Sequence, residues 1–139
     1  MDEYPKSYKG LIVWLVVFMA SIFLIPAIPV ELSTEAYALI IDNLMTVFIA
    51  ILTYMIYRNE KIYWYNGIEY ETAKKASSGQ RKKYAWRHFK RFAVFAAANL
   101  IYSLVAYITP IPYGFSIFVS TVGLCAVAFS TINIKIEKD

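Results

Sequence analysis

RNEKIYWYNGIEYETAKKASSGQRKKYAWRHFKR, residues 58–91, is the one long polar stretch of the chain. It carries ten of the fourteen lysines and arginines but only three of the ten acids, Glu60, Glu69 and Glu71. Two long apolar stretches precede it and two follow. The chain is 59% hydrophobic with a mean hydropathy of +0.48, against roughly 45–50% apolar residues in soluble domains. A soluble chain of 139 residues has too little interior to hide four runs of about 20 apolar residues each. The expected fold is therefore an all-α integral membrane protein. Its four transmembrane helices lie at about 11–29, 35–57, 92–108 and 113–134, as two hairpins joined by a long basic loop at 58–91.

Charge sets the expected orientation. All fourteen basic residues fall in the middle loop or at the two ends, and none falls in the connections at 26–34 and 109–112. The positive-inside tendency then puts the loop and both termini in the cytoplasm, which four crossings allow. A plasma membrane, in a prokaryotic host, is the simplest destination. The net charge of +4 is explained by topology and attraction to anionic lipid, and no nucleic-acid motif accompanies it. The basic lead, with Lys6 and Lys9, followed by an apolar run has the outline of a signal peptide. The bulky Trp14 and Phe18 and the lack of a small-x-small cleavage site favour an uncleaved anchor. Cys125 is the only cysteine, so no internal disulfide is possible.

Local signals place the ends of the elements. Pro26 and Pro29 stop the first helix, since proline cannot donate to the preceding turn. Ser33 or Thr34 caps the second. Within the loop, Tyr63, Trp64, Tyr65 and Tyr70 surround an Asn66-Gly67 turn signal, and are expected at the membrane interface. Residues 71–76 have the composition of a short helix, broken by Ser77-Ser78-Gly79. From Gln80 the pattern is helical again and reads as a basic ramp leading into the membrane near Phe92. A shift of 83 residues aligns Pro29 with Pro112 and Ser33 with Ser116. That echo is a weak signal of a duplicated hairpin, and the general use of proline in short turns explains it better.

Few residues in the apolar runs carry chemistry. Asp42 lies about seven residues into the second run, roughly 10 Å below its outer end. A carboxylate at helix centre costs on the order of 2.5–3.5 kcal/mol on insertion scales, so it should face the bundle or water. Asn43 adjoins it, and Thr46, one turn on, is in reach of a hydrogen bond to it. Asn99 belongs to a small and polar stripe with Ala96, Ser103 and Tyr107. Measured from Phe92 it falls nearer the cytoplasmic side than Asp42, which makes the two separate stations rather than one site. Ser116, Ser120, Gly123, Val127 and Ser130 form a second stripe, and both suit close helix packing. His88 has no second histidine or cysteine pair with which to hold a metal, and no cofactor motif occurs.

Three function classes follow. The leading one is a small membrane interaction protein with an accessory, regulatory or toxin-protection role. It would bind a membrane partner or anionic lipid through Tyr63, Trp64, Tyr65, Lys82, Lys83, Arg87, Lys90 and Arg91. The second is a homo-oligomeric transporter or channel, with Asp42, Asn43, Thr46 and Asn99 as an ion or substrate site. The third is a membrane enzyme acting on lipid or peptide, using polar groups of the loop.

Overall fold

A computed structural model describes residues 4–65, 67–109 and 111–137. Asn66 of the expected turn, Pro110 of the second proline turn and the last two residues of the charged tail lie outside the described residues. All regular structure among the described residues is helical: α1 (Lys9–Leu24), α2 (Thr34–Asn59), α3 (Tyr70–Lys75), α4 (Ser78–Ile108) and α5 (Tyr113–Ile132). α1 with the turn that follows it, α2, α4 and α5 are each long and apolar enough to cross a membrane.

The ends of these helices follow from capping chemistry. α1 stops at Leu24, earlier than expected, because Pro26 forces a 3₁₀ turn over Ile25–Ala27. Ser33 caps α2, its Oγ accepting from the Ala36 amide at 3.2 Å. At the other end of α2, Glu60 takes a left-handed conformation, φ 57°, which closes the helix where glycine is more usual. Ser77 does more than interrupt the loop. It accepts from the Gln80 amide while the Gln80 side chain accepts from the Ser77 amide, a full capping box. The longest helix, 31 residues, thus starts well before its apolar part.

α2 and α4 form the main interface and run antiparallel, and α5 packs on both. α1 is peripheral. It leans on α2 through Trp14 and Phe18 against Phe48, and the Trp14 indole donates to the Phe48 carbonyl at 3.0 Å. The tightest pairing therefore crosses between the two sequential helix pairs and does not lie within either. Small residues allow it. Ala96, Ser103 and Ala106 on α4, Thr46 and Thr53 on α2, and Ser116 and Ser120 on α5 are all buried. Large apolar side chains point outward instead. Ile12, Val13 and Phe23 on α1, Ile101 and Leu104 on α4, and Phe118 and Phe129 on α5 are exposed. A belt of this extent suits a lipid solvent and not water.

A second core sits at the basic end. Ile56, Ile62, Tyr63, Ala73, Tyr84 and Ala85 pack together there, with Tyr4, Trp64, Tyr65 and Tyr70 around them. The aromatic residues of the loop thus fold over the end of α2 and α4 as a cap.

Candidate functional site: a polar cluster in the bundle and a basic end

Asp42 and Asn99 form one contact. The Asn99 amide nitrogen donates to Asp42 Oδ2 at 2.9 Å and to Asn43 Oδ1 at 3.1 Å. This corrects the expectation of two stations at different depths. The reason is register. Eighteen residues separate Asp42 on α2 from Glu60 at its C-cap, and eighteen separate Arg81 from Asn99 on α4, and Glu60 pairs with Arg81. Two antiparallel helices of equal rise then bring both pairs level. Asp42 is eight residues from the start of α2 and Asn99 nine from the end of α4, so the cluster lies about 12–14 Å from the far end of the bundle.

Thr46 does not reach Asp42. Its hydroxyl donates to the Asn43 carbonyl at 3.0 Å, a bond back along its own helix. The Asn43 amide likewise donates to the Leu39 carbonyl at 2.8 Å. Asn99 is therefore the group that ties α4 to the two acceptors of α2, and it is buried. Nearby hydroxyls are left over: Ser103 and Ser116, both buried, have no hydrogen-bond partner. Asn43 and Ser103 line one groove at the far end, about 470 Å³, whose other walls include Leu39, Ile40, Leu100 and Leu104.

The basic end is built differently. The Arg81 guanidinium pairs with Glu60 at 2.9 Å, donates to the Ala73 and Ala76 carbonyls, and lies over the Tyr4 ring at 4.2 Å. Ser78 Oγ donates to the second Glu60 oxygen at 2.7 Å and Lys82 approaches it at 3.4 Å. Tyr4 in turn donates to the Glu60 carbonyl, and Tyr70 to that of Tyr4. Tyr63 exchanges two hydrogen bonds with the Ser7 backbone, at 2.8 and 2.9 Å, and the Trp64 indole donates to the Ser7 carbonyl. The segment ahead of α1 is thereby clipped to the loop.

This arrangement alters the expected contact surface. Tyr63 is buried and Trp64 and Tyr65 are half-buried, so these rings serve the cap. Tyr65 stacks on His88, with centroids 4.4 Å apart, and His88 Nδ1–H donates to the Tyr84 carbonyl at 3.1 Å. The histidine is thus absorbed in packing. Lys82, Lys83, Arg87, Lys90 and Arg91 remain exposed. Lys82 pairs with Glu60, and Lys83 and Arg87 with Glu137 in the tail. Six cations, counting Arg81, face two carboxylates, so the end stays strongly positive. Arg87, Lys90 and Arg91 rim a groove of about 900 Å³ between α4 and α5, floored by Val94, Phe95, Ala98 and Val127.

Glu60 sits at the centre of this cap, bonded by Ser78 and Arg81. Burial pushes its carboxyl up, but hydrogen bonds from Ser78 and Arg81 and the Arg81 charge outweigh that and hold it below its ordinary value of 4.5. Burial raises the Tyr4 phenol to about 12, against the lowering effect of Arg81, so it stays a neutral donor. A depressed folded-state value means that Glu60 stabilises the cap above its unfolded value, and that this is lost as pH falls through the folded one. Tryptophan fluorescence of the detergent-solubilised protein should therefore change below pH 4.5, as Trp64 loses Ser7. Glu60→Gln should remove the transition. A transition near about pH 6, where histidine titrates, and unchanged in that variant, would contradict this account.

The fold and these sites define a class: a small helical protein with four membrane-length helices, one polar contact within the bundle and a basic, aromatic-capped end. Compared with known proteins, the chain matches no family model, no curated protein and no solved structure.

Proposed function

We propose that this is a small multi-pass membrane interaction protein that holds an anionic phospholipid at its basic end. In this reading the basic end and both termini face the cytoplasm of a plasma membrane, and the helices run as two hairpins. The observation that supports it is the α4–α5 groove. Three cations stand at its mouth and an apolar floor runs from them into the bundle, the polarity of a phosphorylated head group joined to acyl chains. Arginine and lysine stems at such a depth lay their methylenes on apolar surface and keep their charge at the head-group level. Each added juxtamembrane cation contributes about 1 kcal/mol of attraction to an anionic surface. A bound lipid would let the protein mark or organise acidic regions of the membrane for a partner.

The test is lipid retention. The protein is purified from nanodiscs containing equal phosphatidylglycerol and phosphatidylcholine, and the lipids kept are counted by native mass spectrometry. Phosphatidylglycerol should be retained preferentially. The Arg87→Gln, Lys90→Gln, Arg91→Gln triple variant should bind it on the order of a hundredfold more weakly, as three cations at about 1 kcal/mol each imply. Equal retention of the two lipids sinks the reading. A protein bound stoichiometrically over the same residues, in place of lipid, would assign the basic end to a protein partner instead.

A further inference from the structure

The far end of the bundle offers a second site, independent of the basic end. Its groove, about 470 Å³, is within the usual range for small-molecule pockets, which are mostly apolar with a few placed polar groups. Only Asn43, Ser103 and Tyr107 bring polar atoms to its walls. Asp42, next to Asn43 on α2, lies outside the lining of the groove. Both oxygens are bonded to the same Asn99 nitrogen, so they are no more than about 6 Å apart, the two bond lengths end to end.

The cluster has no cationic donor. Asn99 spends its amide hydrogens on Asp42 and Asn43, and Asn43 donates to Leu39. Asp42 Oδ1 accepts nothing from the described residues, and Ser103 Oγ is buried without a partner in the wall of the groove. No lysine, arginine or histidine occurs in residues 10–57 or 92–134. The carboxylate thus has no counter-charge from the apolar stretches around it. Asp42 is half-buried, and a carboxylate without a counter-charge at this depth of a bilayer is costly and marks a site for one.

We propose that this groove binds an amphipathic organic ammonium ion, its N–H donors toward Asn43 and Ser103, its charge near the Asp42 carboxylate just outside the lining, and its hydrocarbon part along Leu39, Ile40, Leu100 and Leu104. Positive charge meets the unpaired carboxylate, donors meet the spare acceptors, and the apolar body covers walls that offer no further oxygen. A bare alkali ion would leave those walls unused and would need more oxygen ligands than the groove supplies.

The experiment measures equilibrium binding of 2-phenylethylammonium to the full-length protein in nanodiscs, with empty nanodiscs subtracted and 2-phenylethanol as the neutral counterpart. Saturable binding of the ammonium, and none of the alcohol, is expected. Asp42→Asn keeps an acceptor for Asn99 and should retain native helicity, yet bind at least about tenfold more weakly, as removal of one charge from a desolvated pair implies. Leu104→Trp, at an exposed position of the groove wall, should weaken binding by filling the space without touching the cluster. Equal affinity in parent and both variants, or no saturable binding to the parent, overturns the proposal. Displacement of the ammonium by excess sodium chloride but not by choline chloride would overturn it in favour of an inorganic cation.

Discussion

Arg81→Met should be the most damaging single substitution at the basic end, with a loss of about 3 kcal/mol. Arg81 is 9% exposed and the Glu60 side chain 18%, so both charges are largely out of water. Removing Arg81 leaves Glu60 with only Ser78 and the exposed Lys82, and the Ala73 and Ala76 carbonyls without their donor. It also removes the planar cation from the Tyr4 face. Methionine keeps the stem volume, so the loss reports charge and hydrogen bonding and not a cavity. Chemical unfolding in detergent should show the reduced midpoint. Limited proteolysis should cut the segment before Lys9 sooner, since Tyr4 is tied to Glu60 and Tyr70. Combining Arg81→Met with Glu60→Leu should cost less than Arg81→Met alone, because no charge is then stranded. A double variant as unstable as the sum of the two would mean that the pair does not act as a unit.

That lock explains why the middle of the chain was only partly legible. Its basic charge is visible in composition, and the four apolar stretches identify the long helices by length alone. The roles of the aromatics are not. Tyr63 and Tyr70 look like interfacial tyrosines, because an amphipathic ring suits both a head group and a small core. What assigns them to a core is Ser7 and Tyr4, more than fifty residues away, and no local pattern signals a contact at that separation. Ser77 is a clearer case. A serine followed three residues later by glutamine is a capping-box signature, and in Ser77-Ser78-Gly79-Gln80 it marks the start of α4, where the glycine invites a reading as a break.

The polar cluster was legible in content but not in geometry. Asp42, Asn43 and Asn99 stand out because polar groups are costly in apolar helices. Their contact depends on how α2 and α4 slide past each other, and apolar periodicity fixes the face of a helix without fixing its axial register. The Glu60–Arg81 pair carries that information, since the two pairs are equally spaced on both helices. Charges outside the span therefore report the alignment within it.

The same dependence on close approach makes Gly123→Leu the second large effect. A Cβ at Gly123 would stand 2.6 Å from Phe95 Cε2 and 3.2 Å from Cζ, closer than packed carbons allow. Gly123 thus lets α5 close on the Phe95 ring of α4, much as small residues do wherever membrane helices touch. Leucine there must either turn Phe95 or push α5 away, and overpacking of this kind costs about 1–3 kcal/mol or more. Parting α5 from α4 would also strip cover from Ser116 and Ser120, both buried, and open the groove whose floor includes Phe95 and Val127. The unfolding midpoint should fall, and phosphatidylglycerol retention should fall with it although every cation is intact. Phe95→Ala in the same chain makes room for the new side chain and should restore much of the stability lost in Gly123→Leu, while Phe95→Ala alone should destabilise. If adding Phe95→Ala to Gly123→Leu lowers the midpoint further, the ring is not what the leucine meets, and the α4–α5 contact has been placed wrongly.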